Sequence, residues 1–330
     1  MDQRFNVLSR LCLVGVVSLA LSAGCVQQRT GTFKVALLTP GPISDAGWNT
    51  GAYEGLLRIR DSLGAEVSHV ETKTPAEFEE AFRDYASRGY RLVFGHGFEF
   101  QDAAARAGAD FPNTVFITTS GSTVRPNVSP LVFELEEGTY LAGMLAGGLT
   151  RSGRLGFIGG IKLPPVEGTF LGFRGGARAV RPGVEVLQAY LGNFEDVAAA
   201  KENALAQIGR GADVLLHNAD AASFGIFQAA REWPGVFALG ANKDQNAVAP
   251  DVIVASATLD VPHALLMVAR RVKDGVWHPG VMFLGIKDGI VDLVINPRLE
   301  SRVPPALRAR IAAARDSIVA GTLRVPRVEF

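Results

Sequence analysis

From residue 33 onward, the sequence alternates short runs of β-branched and aromatic residues with longer amphipathic patterns. The strand-like runs are FKVALLTP, EVSHVET, RLVFGHG and TVFITTSG. The segments between them, such as NTGAYEGLLRIRDSLG, place apolar residues at the three- and four-residue spacing of a helix. This alternation predicts a parallel sheet covered by helices on both faces, which is a doubly wound α/β lobe.

The same pattern restarts at GRLGFIGG and continues through VEVLQAYLG, ADVLLHNAD and GVFALGAN. Two such units without a Pro- or Ser-rich linker predict two doubly wound parallel-sheet lobes that share a cleft. A helix is predicted in SATLDVPHALLMVARRVKDGVW, then a strand-like run VMFLGIKDGIVDLV and a last helix PPALRARIAAARDSIVAG. We therefore expect a hinge of several crossings, with residues 33–135 and 256–285 in the first lobe and 136–255 and 286–330 in the second.

The N-terminal residues 1–24 predict a targeting signal. Arg4 and Arg10 precede the apolar run LCLVGVVSLAL, which is shorter than the roughly 20 residues of a membrane span and predicts a signal peptide over residues 1–24. Cys25 follows LSAG and resembles the lipobox of bacterial lipoproteins, which implies a lipid on Cys25, a polar leader over 25–32 and a protein tethered to a membrane in the cell envelope. An uncleaved signal anchor and an ordinary secreted protein are the alternatives.

Charge and motifs argue against several function classes. The 33 Lys and Arg residues balance 33 Asp and Glu residues, so no net field attracts nucleic acid. Gly95 and Gly97 begin a dinucleotide fingerprint, but Phe100 takes the place of the third glycine. His96 and His217 follow strands in different lobes without a third ligand, which favours a structural role over a metal site. We expect no cofactor, metal or nucleic-acid partner.

Acidic residues could instead serve catalysis. Asp45, Glu99 and Asp220 follow predicted strands, and a nucleoside-processing hydrolase that uses them is one hypothesis. No nucleophile, base and orienting group assemble around them, however, and helix capping is the alternative role, most strongly for Asp45. We expect a binding protein with no catalytic residues.

The loops after the strands carry aromatic and amide side chains. They include Trp48 with Asn49, Phe98, Phe170, Phe194, Asp220 and Asn242. Ligands of open α/β sheets bind beyond the carboxyl ends of the strands, where these loops lie. Aromatic rings stack on flat ligands, and amides and carboxylates hydrogen-bond to ring nitrogens and exocyclic groups. The loops therefore predict a flat polar ligand, although each phenylalanine taken singly could equally belong to the core.

The series SDAGWNTGAYEG, LEEGTYLAGMLAG, GRLGFIGG, GNFEDV, GADVLLHNAD and GANKDQ resembles the basic membrane protein (Bmp) family of bacterial substrate-binding lipoproteins. The resemblance implies a type I periplasmic-binding-protein fold, monomeric, that closes over a small molecule and delivers it to the permease of an ABC importer. Family members include purine nucleoside receptors, and others take up nucleobases or riboflavin.

The resemblance also implies roles for individual residues. Trp48 falls where the family has an aromatic that stacks on the base, and Asn49 falls on a polar ligand contact. Thr169 or Phe170 falls on the second stacking position, in the opposite lobe.

Three positions depart from the nucleoside-binding members. Those members have a base-reading Asp at about Ser120, an acidic residue at Asn242 and a lysine at Leu259, the last two for the ribose. The branch of nucleobase binders looks more similar, and in it Asp220 falls on an acidic position and Phe194 on an aromatic one.

The sequence therefore favours a lipid-anchored solute-binding protein for a nucleobase, purine-like or other small heterocycle. A ligand-sensing accessory protein of a membrane receptor is one alternative. A purine nucleoside or riboflavin binder is the other.

Overall fold

The computed structural model describes residues 31–328, and the predicted signal peptide and Cys25 lie outside them. The strands are β1 (Lys34–Thr39), β2 (Glu66–Glu71), β3 (Leu92–Gly95), β4 (Val115–Thr119), β5 (Val128–Phe133), β6 (Arg154–Gly159), β7 (Glu185–Tyr190), β8 (Val214–Asn218), β9 (Phe237–Asn242), β10 (Ile253–Leu259), β11 (Met282–Leu284) and β12 (Val291–Ile295). The helices are α1 (Trp48–Leu63), α2 (Pro75–Ser87), α3 (Gln101–Asp110), α4 (Leu135–Leu149), α5 (Pro164–Val180), α6 (Val197–Gly209), α7 (Ser223–Glu232), α8 (Val261–Lys273) and α9 (Pro305–Val319).

The strands form two six-stranded sheets, in the orders β11-β5-β4-β3-β1-β2 and β12-β10-β9-β8-β6-β7. All pairings within them are parallel except that of β12 with β10. The prediction of two doubly wound parallel-sheet lobes is confirmed. Among the described residues, no helix combines the length and apolar character that a membrane crossing requires.

Strand β1 shows why the central strands have continuous apolar sequences. Val35 and Leu37 belong to one buried cluster, whereas Ala36 and Leu38 belong to another that includes Phe82. Successive side chains point to opposite faces of a strand, so a strand covered by helices on both faces must be apolar at every position. The run KVALLT satisfies this requirement.

The chain passes between the two sheets three times: at residue 134 between β5 and α4, at residue 260 between β10 and α8, and at residues 285–290 between β11 and β12. The crossings are hydrogen-bonded to their neighbours. The Glu134 amide donates to the Leu284 carbonyl at 3.0 Å, and the Asp260 amide donates to the Ile290 carbonyl at 2.8 Å. The hinge is therefore a set of adjacent segments.

Two strands differ from the sequence-based expectation. The sequence predicts residues 256–259 in the first lobe and in a helix, but they lie in β10 and pair with β9 and β12 of the second sheet, and the helix begins at Val261. Strand β5 was not predicted, because Pro130 interrupts its apolar run. The ladder tolerates this proline because β11 pairs only with residues 131–133, so Pro130 has no partner strand on that side.

Helices α4 and α5 pack closely, and this contact sets the second-lobe wall of the cleft. A Cβ atom at Gly143 would overlap the Phe173 carbonyl oxygen, and a Cβ atom at Gly176 would overlap the Tyr140 carbonyl oxygen. The obstacle in each case is backbone, which cannot rotate away as a side chain can. The glycines therefore permit a helix separation that no larger residue allows.

We expect Gly176→Ala to lower the free energy of unfolding by about 3 kcal/mol, because the two helices must move apart in a packed core. Gly168→Ala in the same helix is the matched control, since a Cβ there meets no atom within 4 Å. The better helix propensity of alanine should make that control neutral or more stable by about 0.5–1 kcal/mol. Urea unfolding of both variants measures the difference, and equal stabilities would contradict the packing account.

Candidate ligand-binding cleft

The carboxyl ends of the central strands of both sheets face a cavity between the lobes. The first sheet and its loops contribute Pro40, Trp48, Gly97, Phe98, Glu99, Ser120 and Phe133; the second-lobe side contributes Leu135, Leu163, Pro165, Val166, Phe194, Asn218, Asp220, Asn242 and Leu259. A largely apolar cavity with a few convergent polar groups has the character of a small-molecule site.

Trp48 is the first residue of α1 and is half-buried at the cleft. Its ring stacks on the His96 ring with centroids 3.9 Å apart and an interplanar angle of 21°. The indole Nε1 donates to the His96 carbonyl at 3.3 Å, and the Phe133 ring meets the indole edge-on with centroids 5.9 Å apart. These contacts fix the indole plane, so it can offer a stacking surface at little further cost in side-chain entropy.

The position of Trp48 depends on the fully buried carboxylate of Asp45. Its oxygens accept hydrogen bonds from the backbone amides of Gly47 at 3.0 Å, Asn49 at 2.8 Å and Thr50 at 2.9 Å, and from the Thr50 hydroxyl at 2.8 Å. Asp45 therefore satisfies amides that have no partner within the first turn of α1. The capping role considered for this residue is confirmed, and its oxygens are occupied.

The second lobe presents a connected set of polar side chains. Asn242 Nδ2 lies 3.4 Å from Asp220 Oδ1 and 3.3 Å from Asn218 Oδ1. Asn218 Nδ2 donates to the Thr169 hydroxyl at 2.9 Å, and that hydroxyl donates to the Pro165 carbonyl at 3.0 Å. The chain of contacts orients the two amides relative to Asp220.

Backbone strain is concentrated at the cleft. In the part of the chain that the structure describes, the non-glycine residues with positive φ are Ala46 (52°), Ser120 (105°), Asp220 (44°) and Asn242 (68°). Three of them line the cavity, and Ala46 lies beside Asp45. Such conformations cost on the order of 1–3 kcal/mol each and persist where the surrounding structure imposes them, which occurs most often at functional sites.

Burial perturbs the ionisable groups here. Desolvation raises the pKa of Asp220 well above its usual value, and the charges of Asp45 and Glu99 raise it further, against a smaller opposing effect of the Asn242 hydrogen bond. Desolvation also raises the pKa of Glu99. It lowers the pKa of His96 to about 3 and that of His217 to about 4, so both imidazoles are neutral at neutral pH.

A second cavity adjoins the first and shares Pro40, Glu99, Leu163, Phe194 and Asp220 with it. Asn49 lines this second space, is 2% exposed, and has a side-chain Oδ1 without a hydrogen-bond partner. At the rim, Lys73 Nζ lies 3.3 Å from Glu195 Oε1 and so joins the two lobes. This second cavity extends the site toward solvent.

Further contacts cross between the lobes. Lys243 of the second lobe forms an ion pair with Glu54 of α1. Gln245 Nε2 donates to the Ala46 carbonyl at 3.3 Å, and Gln245 Oε1 also lies 2.9 Å from His217 Nε2. The loop that holds Asp45 is thereby tied to the second lobe as well as to α1.

The structure brings most of the predicted site residues together. Trp48, Phe98, Ser120, Phe194, Asp220 and Asn242 line the central cavity, and Asn49 lines the adjoining one. Thr169 and Phe170 line neither. Phe170 is 4% exposed and packs against Phe157 in the core, and Thr169 lies behind Asn218, because both are on the buried face of α5.

Sequence reasoning missed several lining residues. Phe133 ends the unpredicted strand β5, so its place at the cleft was not expected. Glu99 was considered only as one of several acidic residues, although its position in GHGFEF directly after a strand carried the signal. Leu163 directly precedes α5 and Pro165 is its second residue, and neither residue type marks a ligand contact in the sequence.

Residues 32–327 match the model of the Bmp family, described as PnrA-like ABC transporter substrate-binding proteins. Among relatives, the chain is 25% identical to Basic membrane protein A2 of Borrelia garinii subsp. bavariensis over 97% of this chain and 96% of that one. It is 27% identical to the ABC transporter nucleoside-binding protein BmpA of Lactococcus lactis subsp. cremoris over 95% and 97%. It is also 27% identical to the Transcriptional activator protein med of Bacillus subtilis over 87% and 90%.

Among solved structures, an ABC transporter system solute-binding protein of Aeropyrum pernix K1 superposes with a TM-score of 0.83. The alignment covers 90% of this chain and 94% of that one at 20% sequence identity. At this identity the similarity shows the fold.

We expect Asp220→Asn to stabilise the ligand-free protein at neutral pH by on the order of 1–3 kcal/mol, because it removes a poorly solvated carboxylate. The folded-state pKa of Asp220 is raised, so the native state binds its proton more tightly than the unfolded state and ionisation destabilises the fold as pH rises. The pH-dependent part of the gain should therefore vanish below about pH 4, the unfolded-state value.

The matched control is Asp251→Asn in the same lobe, where the Arg231 side chain lowers the pKa of the Asp251 carboxyl. That substitution should have the opposite sign, a small loss of stability above about pH 4. Thermal unfolding of both variants across pH measures the effects. A gain for Asp220→Asn that is independent of pH would show that the carboxylate is not the cause.

Proposed function

The chain belongs to the Bmp family of ABC transporter substrate-binding proteins, and we propose that its ligand is a nucleobase-like, nitrogen-containing heterocycle held in the cleft between the lobes. The observation that carries this proposal is the fixed indole of Trp48 on one wall, with Asp220, Asn218 and Asn242 converging from the other. A flat ring with polar edges fits both features.

The aromatic lining favours a ring over a sugar or an amino acid. Phe98 and Phe133 of the first lobe and Phe194 of the second lobe line the central cavity together with Trp48. Aromatic pairs are stabilised by about 0.5–1.5 kcal/mol beyond the area that they bury. We propose that Trp48 supplies one stacking face and that Phe194 packs against the ligand from the opposite lobe.

A free base is favoured over a nucleoside. Leu259 lines the cavity as an apolar side chain, and Asn242 is engaged with Asn218 and Asp220. None of the described residues that line the central cavity is Lys or Arg, so this lining offers no cationic side chain to a ribose. A purine nucleoside is the alternative ligand, because one relative is named a nucleoside-binding protein.

We propose that the protein delivers its ligand to an ABC permease and does not transform it. Family membership supports the transport role and an extracytoplasmic location. We also propose that the protein is monomeric and that a lipid on Cys25 tethers it to a membrane surface, because the residues before Cys25 resemble a lipobox.

Ligand sensing is a second candidate, because one relative is named a transcriptional activator. Both functions use the same closing cleft, so the fold does not separate them. Neighbouring genes for a permease and an ATPase would favour import, and a neighbouring receptor or kinase gene would favour sensing.

We expect Trp48→Ala to weaken the binding of adenine by at least about tenfold, because the variant loses both the stacking face and the apolar area. Trp48→Phe should retain part of the affinity. Trp233→Ala is the control, since that indole is 49% exposed and lines neither cleft cavity. Isothermal titration calorimetry measures the three affinities. Equal adenine affinity in Trp48→Ala and the unmodified protein would remove Trp48 from the site.

The comparison of adenine with adenosine separates base from nucleoside. We expect adenine to bind at least about tenfold more tightly, because Leu259 and Asn242 offer no charged contact to the ribose. Thermal-shift titration with the two compounds is sufficient. Tighter binding of adenosine would assign the cleft to nucleosides.

A further inference from the structure

Two carboxyl groups line the central cavity, one from each lobe. Glu99 of the first lobe lies four residues after the end of β3, and Asp220 of the second lobe lies two residues after the end of β8. Both line the central cavity and the adjoining one, and their charges are close enough to interact. A carboxyl group therefore faces the ligand space from each side of the cleft.

No cation among the described lining residues neutralises this pair. Lys73 is the basic residue that lines the adjoining cavity, and its ammonium lies 3.2 Å from Glu71 and 3.3 Å from Glu195 at the rim. The His96 and His217 imidazoles nearby are neutral for the reason given above. The Asn242 contact to Asp220 is long, at 3.4 Å, and Glu99 is half-buried, so both carboxyls keep acceptor capacity that a bound molecule with hydrogen-bond donors can use.

Asn49 adds a third oxygen acceptor to the wall of the adjoining cavity. It lines the adjoining cavity beside Glu99 and Asp220, is almost completely buried, and has an Oδ1 atom without a hydrogen-bond partner. Buried polar atoms are satisfied in most native structures, and the exceptions call for an explanation. Oδ1 itself is covered by protein atoms, so a ligand reaches it only if the surrounding side chains move.

Asp45 is excluded from the set. Its oxygens are occupied by the amides of Gly47, Asn49 and Thr50. A metal ion is also disfavoured as the partner of the carboxyls, because the described residues contain no group of three or more His, Cys, Asp or Glu that could hold one. Hydrogen-bond donors on an organic ligand are the remaining partners for the two carboxyls.

We propose that the cleft selects amino-substituted over oxo-substituted heterocycles, with Glu99 of the first lobe and Asp220 of the second each accepting an N–H from a different amino group of the same ligand. This inference rests on the proposed function and narrows its ligand class. An amino group donates to a carboxylate, whereas an oxo group at the same position places a lone pair against it and leaves the acceptor unpaired. Because the two carboxyls belong to different lobes, a ligand with two amino groups also joins the lobes.

The test compares 2,6-diaminopurine with xanthine, which carry amino or oxo groups at the same two ring positions. Calorimetry at neutral pH should show 2,6-diaminopurine binding at least about tenfold more tightly, since hydrogen bonds to a charged group contribute about 1.5–3 kcal/mol. Glu99→Gln and Asp220→Asn should each reduce this preference by about tenfold, because an amide side chain can also donate to an oxo group.

Glu185→Gln is the matched control, since Glu185 lies on β7 and pairs with Arg154 at 2.9 Å outside the cleft; the preference should be unchanged. The readout is the ratio of the two affinities, which a general loss of structure would not shift. Equal affinities for the two purines, or an unchanged ratio in Glu99→Gln, would overturn the inference and leave the proposed function standing. Failure of both purines and of adenine to bind would overturn both.

Discussion

The parallel direction of the strands is the constraint on which the site depends. Strands β1, β3 and β4 of the first sheet and β6, β8 and β9 of the second all end toward the space between the lobes. The loops that follow them must therefore meet there, and the hinge crossings at residues 134, 260 and 285–290 hold the two sheets to this arrangement. The buried cap of Asp45 then fixes the start of α1 and so the position of Trp48.

Closure of such a cleft depends on several small contributions to the free energy. The ion pair of Lys73 with Glu195 is exposed, and exposed pairs contribute only about 0–1 kcal/mol. Contacts of this strength cannot by themselves hold the lobes together firmly. A ligand stabilises the closed arrangement only by the difference in its contacts with the two states, so it must touch both lobes. The stacking face of Trp48 and the polar groups around Asp220 meet this requirement from opposite sides.

Much of the fold could be predicted from the sequence, because a strand buried on both faces has a continuous apolar run that periodicity detects. The failures have local causes. Pro130 concealed β5, and with it Phe133, since the short length of β11 that makes the proline tolerable is not visible in the sequence. Thr169 and Phe170 follow a segment that does line the cleft, but both lie in the second turn of α5 on its buried face, and the sequence does not show which face of this helix meets the cleft. The partnerless Oδ1 atom of Asn49 and the opposition of Glu99 to Asp220 exist only in three dimensions.

The most direct test of the central claim is mass spectrometry of the small molecules released when the purified protein is denatured, because a closed cleft retains its ligand through purification. The account predicts an aromatic nitrogen heterocycle in an amount comparable to the protein. Release of a sugar, an amino acid or another non-aromatic compound in that amount would contradict it.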